Sequence, residues 1–461
     1  MPTPARRAAY EVLRRTFEDD AWADRAFRSA AERHGLEGRE RALAQRLAYG
    51  AVQRRGTSDH LVAELAGRPV ESLDPPLRAA LRLGLYELLF TDGVAAHAAV
   101  GEAVELAKGG MRAAGAGPKA APAAGVVNAV LRRADRERTQ LLGSLDDSAP
   151  AGAAVAHSMP QWIAEMWWKE LGPAEARRLM ATANLPAERA LRVNTLRAEP
   201  AAAVAELRGR GEDVGPAAER AATDPLLAVP EAIVAEGRWG EALREAVSGG
   251  AAVPQSRASQ AVVALLDLAP GQRVLDVCAG PGIKTTAIAA RLADQGEVRS
   301  LDIDPGRAGE ISDLCARLGI RSVSVEVADA TRADPGAGYD RILVDPPCTD
   351  LGTLAARPDA RWRKRPGDPA RLGELQGAIV ARAARALAPG GALVYSTCTV
   401  SRRESEDVVA EVLAGDASLR ADELGGAHPA IASPHDPRFL QTRPDRDGTA
   451  GFFMARILRE A

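Results

Sequence analysis

The sequence predicts a multi-domain protein with an all-α N-terminal domain, a small α/β middle domain and a C-terminal α/β domain built on a mostly parallel sheet. A chain of 461 residues is too long for one ordinary hydrophobic core. Apolar residues recur at helical spacing through residues 1–140. From Gly250 onward, apolar runs of strand length alternate with helical runs, as in βαβ units. We therefore expect domains at residues 1–140, 141–250 and 251–461.

The composition excludes several classes of protein. With 46% hydrophobic and 26% charged residues the chain is globular, and its net charge of −3 means that any nucleic-acid surface must be local. Four cysteines are widely spread without a C-x-x-C pair, and six histidines show no metal-binding spacing. No segment approaches the roughly 18 apolar residues of a membrane span. We expect a monomeric protein of the reducing cytoplasm, with no membrane partner and no metal.

Helices account for the first predicted domain. Val12, Leu13 and Phe17 share one helical face. Adjacent arginine pairs recur along these helices, and they fit either solvated helix faces or contacts to RNA phosphates. A low-complexity stretch rich in Gly, Ala and Pro predicts a flexible loop at residues 112–125. Amphipathic helices are predicted at residues 77–90, 95–108 and 124–133.

The predicted middle domain opens with a tryptophan-rich helix that begins at Pro160. Such a cluster of tryptophans fits packing at a domain junction or stacking on RNA bases. The stretch R-A-L-R-V-N-T-L-R that follows predicts a strand with Asn194 and Thr195 at its end. The C-terminal domain then has predicted strands at residues 273–277, 298–303, 323–327, 341–344, 392–395 and 452–458.

A glycine-rich turn after the first of those strands predicts a cofactor site. The stretch V-L-D-V-C-A-G-P-G-I-K-T-T contains small residues that let the backbone approach a ligand closely. A helix starting near Lys284 would offer its unpaired N–H groups to a carboxylate or phosphate. The spacing matches neither the dinucleotide pattern G-x-G-x-x-G nor a P-loop.

Two carboxylates follow the next two strands. Asp302 lies 24 residues after Cys278, a placement that suits the two hydroxyls of a ribose. Asp329 is placed to reach an adenine, although either carboxylate could instead cap a helix or a turn. The arrangement of the glycine-rich turn, Asp302 and Asp329 resembles the cofactor site of S-adenosylmethionine-dependent methyltransferases, which have a Rossmann-like class I fold. The cofactor residues that this resemblance implies are Cys278, Ala279, Gly280, Pro281, Gly282, Ile283, Lys284, Asp302, Asp329 and Asp345.

Two cysteines follow other strands of the same predicted sheet, Cys348 in D-P-P-C-T-D and Cys398 in Y-S-T-C-T. A lone cysteine is usually a small buried hydrophobe. However, carbon 5 of cytosine is too poor a nucleophile to take a methyl group unaided, and a thiolate that adds to carbon 6 activates it. Asp345 is the nearest candidate for an acid at ring nitrogen 3.

The paired cysteine motifs resemble the RNA cytosine-C5 methyltransferases of the Fmu/Sun/NOP family. This resemblance implies that Cys398 is the nucleophile, that Cys348 assists product release, and that S-adenosylmethionine is the cofactor. The stretches V-A-A-H-A-A-V-G-E-A-V-E-L-A-K and A-G-V-V-N-A-V-L-R-R resemble a NusB-like RNA-binding domain, and L-R-V-N-T-L resembles the small domain of the same family. The NusB-like part implies small-subunit (16S) ribosomal RNA as the substrate.

The chain departs from the family pattern at two points. It has A-G-P-G-I-K-T where the family usually has A-A-P-G-G-K-T, and D-P-P-C-T-D where the family usually has D-A-P-C-S-G. Ile283 and Asp350 therefore change the cofactor turn and the base-binding loop, although neither removes a reacting atom.

A basic segment follows the Cys348 motif. Residues 355–371 carry six Arg or Lys side chains against two Asp, with one tryptophan among them. Phosphate contacts with a base-stacking ring nearby explain this composition, and a solvated loop is the alternative. The predicted RNA-binding residues are Arg357, Arg361, Trp362, Arg363, Lys364 and Arg365.

Two other functions stay open at this point. An amino-methyltransferase could use the D-P-P loop, but it would leave both cysteines without a role. A catalytically silent RNA-binding or ribosome-assembly protein could keep the fold without the chemistry.

Overall fold

A computed structural model describes residues 1–220, 222–237 and 239–460. The chain forms two compact units, one of Met1–Pro186 with Leu354–Lys364 and the other of Ala187–Thr353 with Arg365–Ala461. The division after Pro186 falls inside the predicted middle domain. The two predicted domain boundaries, after residues 140 and 250, stay predictions.

The first unit is helical, as the apolar periodicity predicts. The first helix buries Val12 and Leu13, and the proline in its first turn removes one of the N–H groups that would otherwise lack a partner there. The helix predicted at residues 77–90 begins two residues earlier, at the proline pair that precedes it. The helices of this part are α1 (Pro4–Glu18), α2 (Ala23–Arg33), α3 (Gly38–Gln53), α4 (Arg55–Ala66), α5 (Pro75–Phe90), α6 (Ala96–Ala113), α7 (Ala120–Arg136) and α8 (Arg138–Gly143).

The predicted flexible loop at residues 112–125 is wrong. α6 runs on to Ala113, a 3-10 turn covers Gly117–Lys119, and α7 starts at Ala120. Alanine is the best helix former, and several alanines here outweigh the glycines. Pro122 lies in the first turn of α7, where a proline is tolerated.

Three further helices complete the N-terminal part of the first unit: α9 (Pro150–Ala156), α10 (Gln161–Leu171) and α11 (Pro173–Thr182). α10 starts directly after Pro160, as predicted. Trp167 on this helix is fully buried, which confirms packing for that tryptophan. Trp162 and Trp168 are half-buried.

The second unit opens with a small antiparallel sheet. The strand predicted at R-A-L-R-V-N-T is present and ends at Val193. The strands are β1 (Ala190–Val193), β2 (Val214–Pro216), β3 (Ala232–Ala235) and β4 (Ala252–Pro254), in the order β2-β3-β1-β4, with α12 (Pro200–Gly209) and α13 (Glu241–Ser248).

A larger sheet forms the rest of the second unit, and the predicted strands are all present with shifts of a few residues at their ends. The strands are β5 (Arg273–Val277), β6 (Glu297–Asp302), β7 (Val323–Val327), β8 (Tyr339–Val344), β9 (Leu387–Thr397), β10 (Leu419–Ala421), β11 (Leu440–Gln441) and β12 (Phe453–Arg459). Their order is β10-β12-β9-β8-β5-β6-β7, with β11 paired to β12. β5 to β9 are parallel, whereas β12 runs antiparallel to β9.

Helices and apolar side chains pack against both faces of this sheet, as is usual for a mostly parallel sheet. The helices are α14 (Arg257–Ala264), α15 (Ile283–Arg291), α16 (Pro305–Leu318), α18 (Asp368–Ala384), α19 (Glu406–Gly415), α20 (Leu424–Ala427) and α21 (Pro444–Asp447), while α17 (Ala360–Arg363) belongs to the first unit. In the described ranges, no helix is long and apolar enough to cross a membrane.

Candidate active site

Four adjacent strands bring the predicted site residues to one edge of the larger sheet. β9, β8, β5 and β6 lie side by side and parallel, so their carboxyl ends meet. Ligands bind at this edge in open parallel α/β sheets. The residues at or just after these ends are Cys398, Asp345, Cys278 and Asp302.

The cofactor turn between β5 and α15 has a backbone that only small residues can follow. Gly282 has φ 95° and precedes α15 directly, in a conformation that favours glycine. A Cβ on Gly280 would lie 2.6 Å from Asp302 Oδ2 and from the Arg307 side chain. The turn therefore requires glycine at both positions, and its backbone is open to a ligand.

Asp302 joins the end of β6 to this turn. Its Oδ2 accepts the N–H of Gly280 at 2.9 Å, and its Oδ1 accepts the N–H of Asp304 at 2.9 Å. A carboxylate oxygen has two lone pairs, so each oxygen keeps one for a ligand hydroxyl. The carboxylate is thus oriented in advance for a diol such as ribose.

Asp329 lies at the end of the next strand but is occupied locally. It accepts the backbone N–H and the hydroxyl of Thr331, at 2.9 and 2.7 Å. These two hydrogen bonds hold the pKa of Asp329 below its ordinary value. The turn-forming role weighed for this residue is therefore present, whereas its adenine contact stays a prediction.

Two exposed apolar side chains at the same edge were missed by sequence reasoning. Ile303 follows β6 with 66% of its surface exposed, and Val327 ends β7 with 53% exposed. Large aliphatic side chains in a βαβ domain are usually buried, and apolar side chains commonly line ligand-binding sites. A flat ring that packs against Ile303 and Val327 would bury both. With the glycine turn and Asp302, they fit a nucleoside-bearing cofactor such as S-adenosylmethionine.

Asp345 is held in an ion pair. Lys284 Nζ donates to its Oδ2 at 2.5 Å, and the Ser396 hydroxyl donates to its Oδ1 at 2.9 Å. Lys284 also lies 5.0 Å from the ring centre of Phe452. The cofactor helix, the Asp345 loop and the end of β9 are therefore linked through one carboxylate.

The two predicted reacting cysteines are in contact. Cys348 Sγ lies 3.3 Å from Cys398 Sγ, and Asp350 Oδ1 lies 3.1 Å from Cys398 Sγ. Two thiolates on one tetrahedral zinc, with Zn–S bonds of about 2.3 Å, would lie about 3.8 Å apart. The observed spacing fits a thiol–thiol hydrogen bond better than a zinc site, and the expected absence of a metal stays a prediction.

The surroundings of Cys398, Cys278 and Cys315 favour the protonated thiol by raising the pKa of each. The hydrogen bond with Cys348, burial and the nearby carboxylates of Asp350 and Asp345 all raise the pKa of Cys398. Burial raises the pKa of Cys278 to about 12 and that of Cys315 to about 11. Because only a thiolate is strongly nucleophilic, Cys398 needs a proton acceptor before it can attack.

A buried glutamate, also missed by sequence reasoning, sets the spacing of the two cysteine loops. Glu404 is fully buried, and it accepts the backbone N–H of Thr349 at 2.8 Å and the Thr349 hydroxyl at 2.5 Å. The hydroxyls of Thr349 and Thr399 are 2.8 Å apart. Each threonine directly follows one of the cysteines, so this network fixes where the sulfurs lie.

The basic segment after Cys348 packs largely into the first unit. Arg361 is fully buried and donates to the carbonyl oxygens of Ser158 and Ala183. Trp362 donates its indole N–H to Val52 O at 2.8 Å. Arg361 in this position cannot reach RNA phosphates, because its guanidinium is enclosed by protein.

The other predicted RNA-binding residues differ in exposure. Arg363 donates to Asp359 at 2.8 Å and to Asp20 Oδ1 at 2.6 Å. Lys364 is half-buried, whereas Arg357 and Arg365 are exposed. Arginines from the adjacent pairs of the N-terminal helices also form ion pairs within the first unit. Arg6, for example, is paired with both Glu87 and Glu102.

Comparisons with known proteins agree with this geometry. The family described as 16S rRNA methyltransferase RsmB/F matches residues 263–458, the NusB family matches residues 3–136, and the Methyltr_RsmF/B-like, ferredoxin-like domain matches residues 159–222. A probable ribosomal RNA small subunit methyltransferase B of Synechocystis is 32% identical over 98% of this chain and 99% of its own length. Ribosomal RNA small subunit methyltransferase B of Thermus thermophilus is 35% identical over 91% of this chain and 89% of its own. The crystal structure of the protein PH0851 matches with a TM-score of 0.79 and 25% identity, covering 100% of this chain and 99% of that one.

Proposed function

This chain belongs to the 16S rRNA methyltransferase RsmB/F family, and on that premise we propose that it transfers a methyl group from S-adenosylmethionine to carbon 5 of a cytosine in small-subunit ribosomal RNA. The observation that carries the choice of carbon 5 is the contact between Cys348 and Cys398 at the cofactor edge of the sheet. Methylation of an exocyclic amine needs no covalent nucleophile, whereas methylation of carbon 5 does.

Cys398 carries the first step. Its sulfur adds to carbon 6 of the cytosine, a carbon–sulfur bond forms, and the electron pair of the C5–C6 double bond moves toward carbon 5. The Asp345 carboxylate, fixed by Lys284 and Ser396, faces the same edge. A proton delivered to ring nitrogen 3 through Asp345 would come from the Lys284 ammonium, because the carboxylate is ion-paired with it.

Bound S-adenosylmethionine supplies an electrophilic methyl group. The chain's own contribution is to hold it: the backbone of the Cys278–Lys284 turn, the Asp302 carboxylate, and the exposed faces of Ile303 and Val327 line the place where it fits. The predicted contact of Asp329 to the adenine belongs to the same proposal.

Cys348 acts at the end of the reaction. Once carbon 5 carries the methyl group, its proton leaves to a base, the C5–C6 double bond re-forms, and the carbon–sulfur bond breaks with its electron pair returning to Cys398. The proton on ring nitrogen 3 returns through Asp345 to Lys284. Cys348 Sγ, 3.3 Å from the leaving sulfur, is positioned to assist this elimination. Without that assistance the protein stays covalently attached to the RNA.

RNA binding falls to exposed basic residues of both units. Arg357 and Arg365 lie on the surface, and Lys364 is half-buried beside them in sequence. Lys and Arg at the surface contribute to RNA binding by releasing counterions from phosphates. The buried Arg361 supports the protein structure instead. Trp362 and Arg363 make hydrogen bonds within the protein, and their contact with RNA stays a prediction.

Mapping of modified nucleotides tests the substrate. We expect one or more 5-methylcytosines of small-subunit ribosomal RNA to be missing in cells that lack the protein, and to return when the purified protein and S-adenosylmethionine are added. Mass spectrometry of nuclease fragments locates them. An unchanged 5-methylcytosine content, or loss of an N-methylated base instead, would show that the substrate or the target atom is wrong.

Two cysteine variants test the mechanism. Cys348→Ala should accumulate a covalent protein–RNA adduct, seen as a slow band on a denaturing gel, because elimination fails. Cys398→Ala should form no adduct and no product, and the double variant should behave like Cys398→Ala. An adduct formed by Cys398→Ala would reverse the roles of the two sulfurs.

A further inference from the structure

The carboxylate of Asp350 touches the sulfur proposed as the nucleophile. Its Oδ1 lies 3.1 Å from Cys398 Sγ and 3.8 Å from Cys348 Sγ. An ionised carboxylate can only accept hydrogen bonds, so the thiol of Cys398 donates to Asp350. Cys398 can then accept the thiol hydrogen of Cys348, which accounts for the 3.3 Å contact between the sulfurs.

The backbone at Asp350 is one that a glycine would adopt more easily. Its φ is 60°, in the left-handed region, which costs a non-glycine residue about 1 kcal/mol. The family pattern has glycine at this position, whereas this chain places a carboxylate there. Aspartate is one of the few non-glycine residues that tolerate this conformation, so the turn can keep its shape while it carries a carboxylate beside the sulfurs.

We propose that Asp350 is a catalytic residue that accepts the proton of the Cys398 thiol as the sulfur adds to carbon 6, and that returns this proton when the sulfur leaves. This inference rests on the proposed function. Of the two carboxylates that act on Cys398, those of Asp350 and Asp345, the one of Asp350 is in hydrogen-bond contact with the sulfur.

The proton and the electron pairs balance over the cycle. In the addition, the S–H bond breaks, its proton goes to Asp350 Oδ1, and the sulfur electron pair forms the bond to carbon 6. In the elimination, the bond from carbon 6 to sulfur breaks, its pair returns to the sulfur, and Asp350 gives the proton back. The only proton lost overall is the one from carbon 5. A carboxylic acid is a stronger acid than a thiol, so the first transfer is completed only as the carbon–sulfur bond forms.

The alternative is that Asp350 only places a negative charge beside the thiol and accepts no proton. The two roles predict opposite effects of removing the carboxylate on the rate at which Cys398 adds to RNA. A negative charge beside a thiol disfavours the thiolate, so removing it would make Cys398 more reactive toward a simple electrophile. If Asp350 accepts the proton, the same removal slows addition to the RNA. The variants Asp350→Asn and Asp350→Gly remove the charge, and the second also removes the unfavourable backbone conformation.

The test compares two rates on the same full-length variants. One is single-turnover formation of the Cys398–RNA adduct in a Cys348→Ala background; the other is alkylation of Cys398 by iodoacetamide at one pH, read by peptide mass spectrometry. We expect adduct formation to fall about a hundredfold in both Asp350 variants, the low end for general-base catalysis, because water can substitute as the proton acceptor. Alkylation of Cys398 should become faster in both. Asp267→Asn is the matched control, because Asp267 also has a left-handed backbone (φ 52°) and is exposed.

The outcomes distinguish a failure of the proposed function from a failure of the proton-accepting role of Asp350. If the Cys348→Ala protein itself forms no adduct with ribosomal RNA, the proposed function fails. If that protein forms the adduct and both Asp350 variants form it equally fast or faster, the proposed function stands and Asp350 is not the proton acceptor.

Discussion

Asp276 is a fully buried carboxyl group on β5, directly below the cofactor turn. The hydroxyl of Thr285 donates to its Oδ2 at 2.6 Å, and burial raises the pKa of Asp276 to about 7. Nearby carboxylates of Asp345 and Asp302 act in the same direction. Between about pH 4 and 7 the folded protein therefore holds a proton here that the unfolded chain, with an ordinary aspartate pKa of about 4, has already released.

This difference makes stability depend on pH in a defined direction. Because the folded-state pKa of Asp276 is raised, its contribution is fully present below about pH 4 and is lost as the pH rises through 7. Relative to Asp276→Asn, whose amide does not titrate, we expect the free energy of unfolding of the wild type to fall by about 1.4 kcal/mol per pH unit between pH 5 and 7. Urea denaturation of both proteins at pH 5, 6, 7 and 8 measures this, and a constant difference across that range would contradict it.

The reacting residues could be predicted from the sequence, but the residues that orient them could not. Cys398 follows its strand directly and Cys348 lies four residues after the end of its own, and strand ends can be placed from local pattern. Glu404 lies in the charged stretch S-R-R-E-S-E, which by composition predicts an exposed turn. Its burial against Thr349 depends on tertiary contacts across 55 positions of the chain. Asp350 could be noticed as a departure from a pattern, but its contact with Cys398 could not.

Arg192 connects the small antiparallel sheet to the cofactor helix. It lies on β1 with 2% of its surface exposed, and it donates to Thr286 Oγ1 at 2.9 Å and to Gln255 Oε1 at 2.8 Å. The carbonyl oxygens of Ile283 and Thr286 also accept from it. Burial lowers the pKa of Arg192 to about 10, which leaves it charged at neutral pH. The first turn of α15, and with it the cofactor turn, is therefore held from the neighbouring sheet.

Replacing this side chain should weaken cofactor binding without touching the cofactor site itself. We expect Arg192→Met to destabilise the protein by about 3 kcal/mol, because it leaves buried acceptors unpaired, and to lower the affinity for S-adenosylmethionine about tenfold. Thermal unfolding and isothermal titration calorimetry measure the two effects, with Arg189→Met, an exposed arginine beside β1, as the control. Lost stability with unchanged affinity would show that Arg192 supports the fold alone.

Secondary structure was predicted best where one local signal dominates. β5 and β7 have the predicted ends, because β5 is a short, mostly apolar run and β7 alternates valine with polar residues, both typical of strands. β9 is longer than predicted, since it continues back through Pro389, Gly390 and Gly391 to Leu387. Residues 112–125 were predicted wrongly because alanine propensity and packing outweighed glycine and proline there.

The segment Leu354–Lys364 shows what sequence composition cannot predict at the level of the complete chain. It belongs to the first unit, although the residues on either side of it belong to the second. Its basic and aromatic composition predicted an RNA-binding loop. The ring of Trp362 instead fills the space beside Gly56, where a Cβ would lie 2.9 Å from it, and the guanidinium of Arg55 lies 5.2 Å from the ring centre. Such long-range packing leaves no local signal.

Trp362→Ala should therefore act first on the folding of the first unit. The change removes a half-buried ring and the hydrogen bond to Val52 O, and we expect it to lower the free energy of unfolding by about 2 to 3 kcal/mol. Hydrogen exchange should become faster in α4 and at the end of α3, which border the ring. Trp362→Phe keeps most of the ring but loses the N–H donor, so its effect should be intermediate.

The exposed Arg365 supplies the matched control for an effect on RNA. Arg365→Ala should weaken RNA binding modestly, reduce its salt dependence and leave hydrogen exchange in α4 unchanged, because it removes a phosphate contact alone. Trp362→Ala should weaken RNA binding only under conditions where the first unit loosens. If Trp362→Ala lowers RNA affinity with exchange in α4 unchanged, the ring stacks on a base as its sequence context first indicated, and its packing in the first unit is of secondary importance.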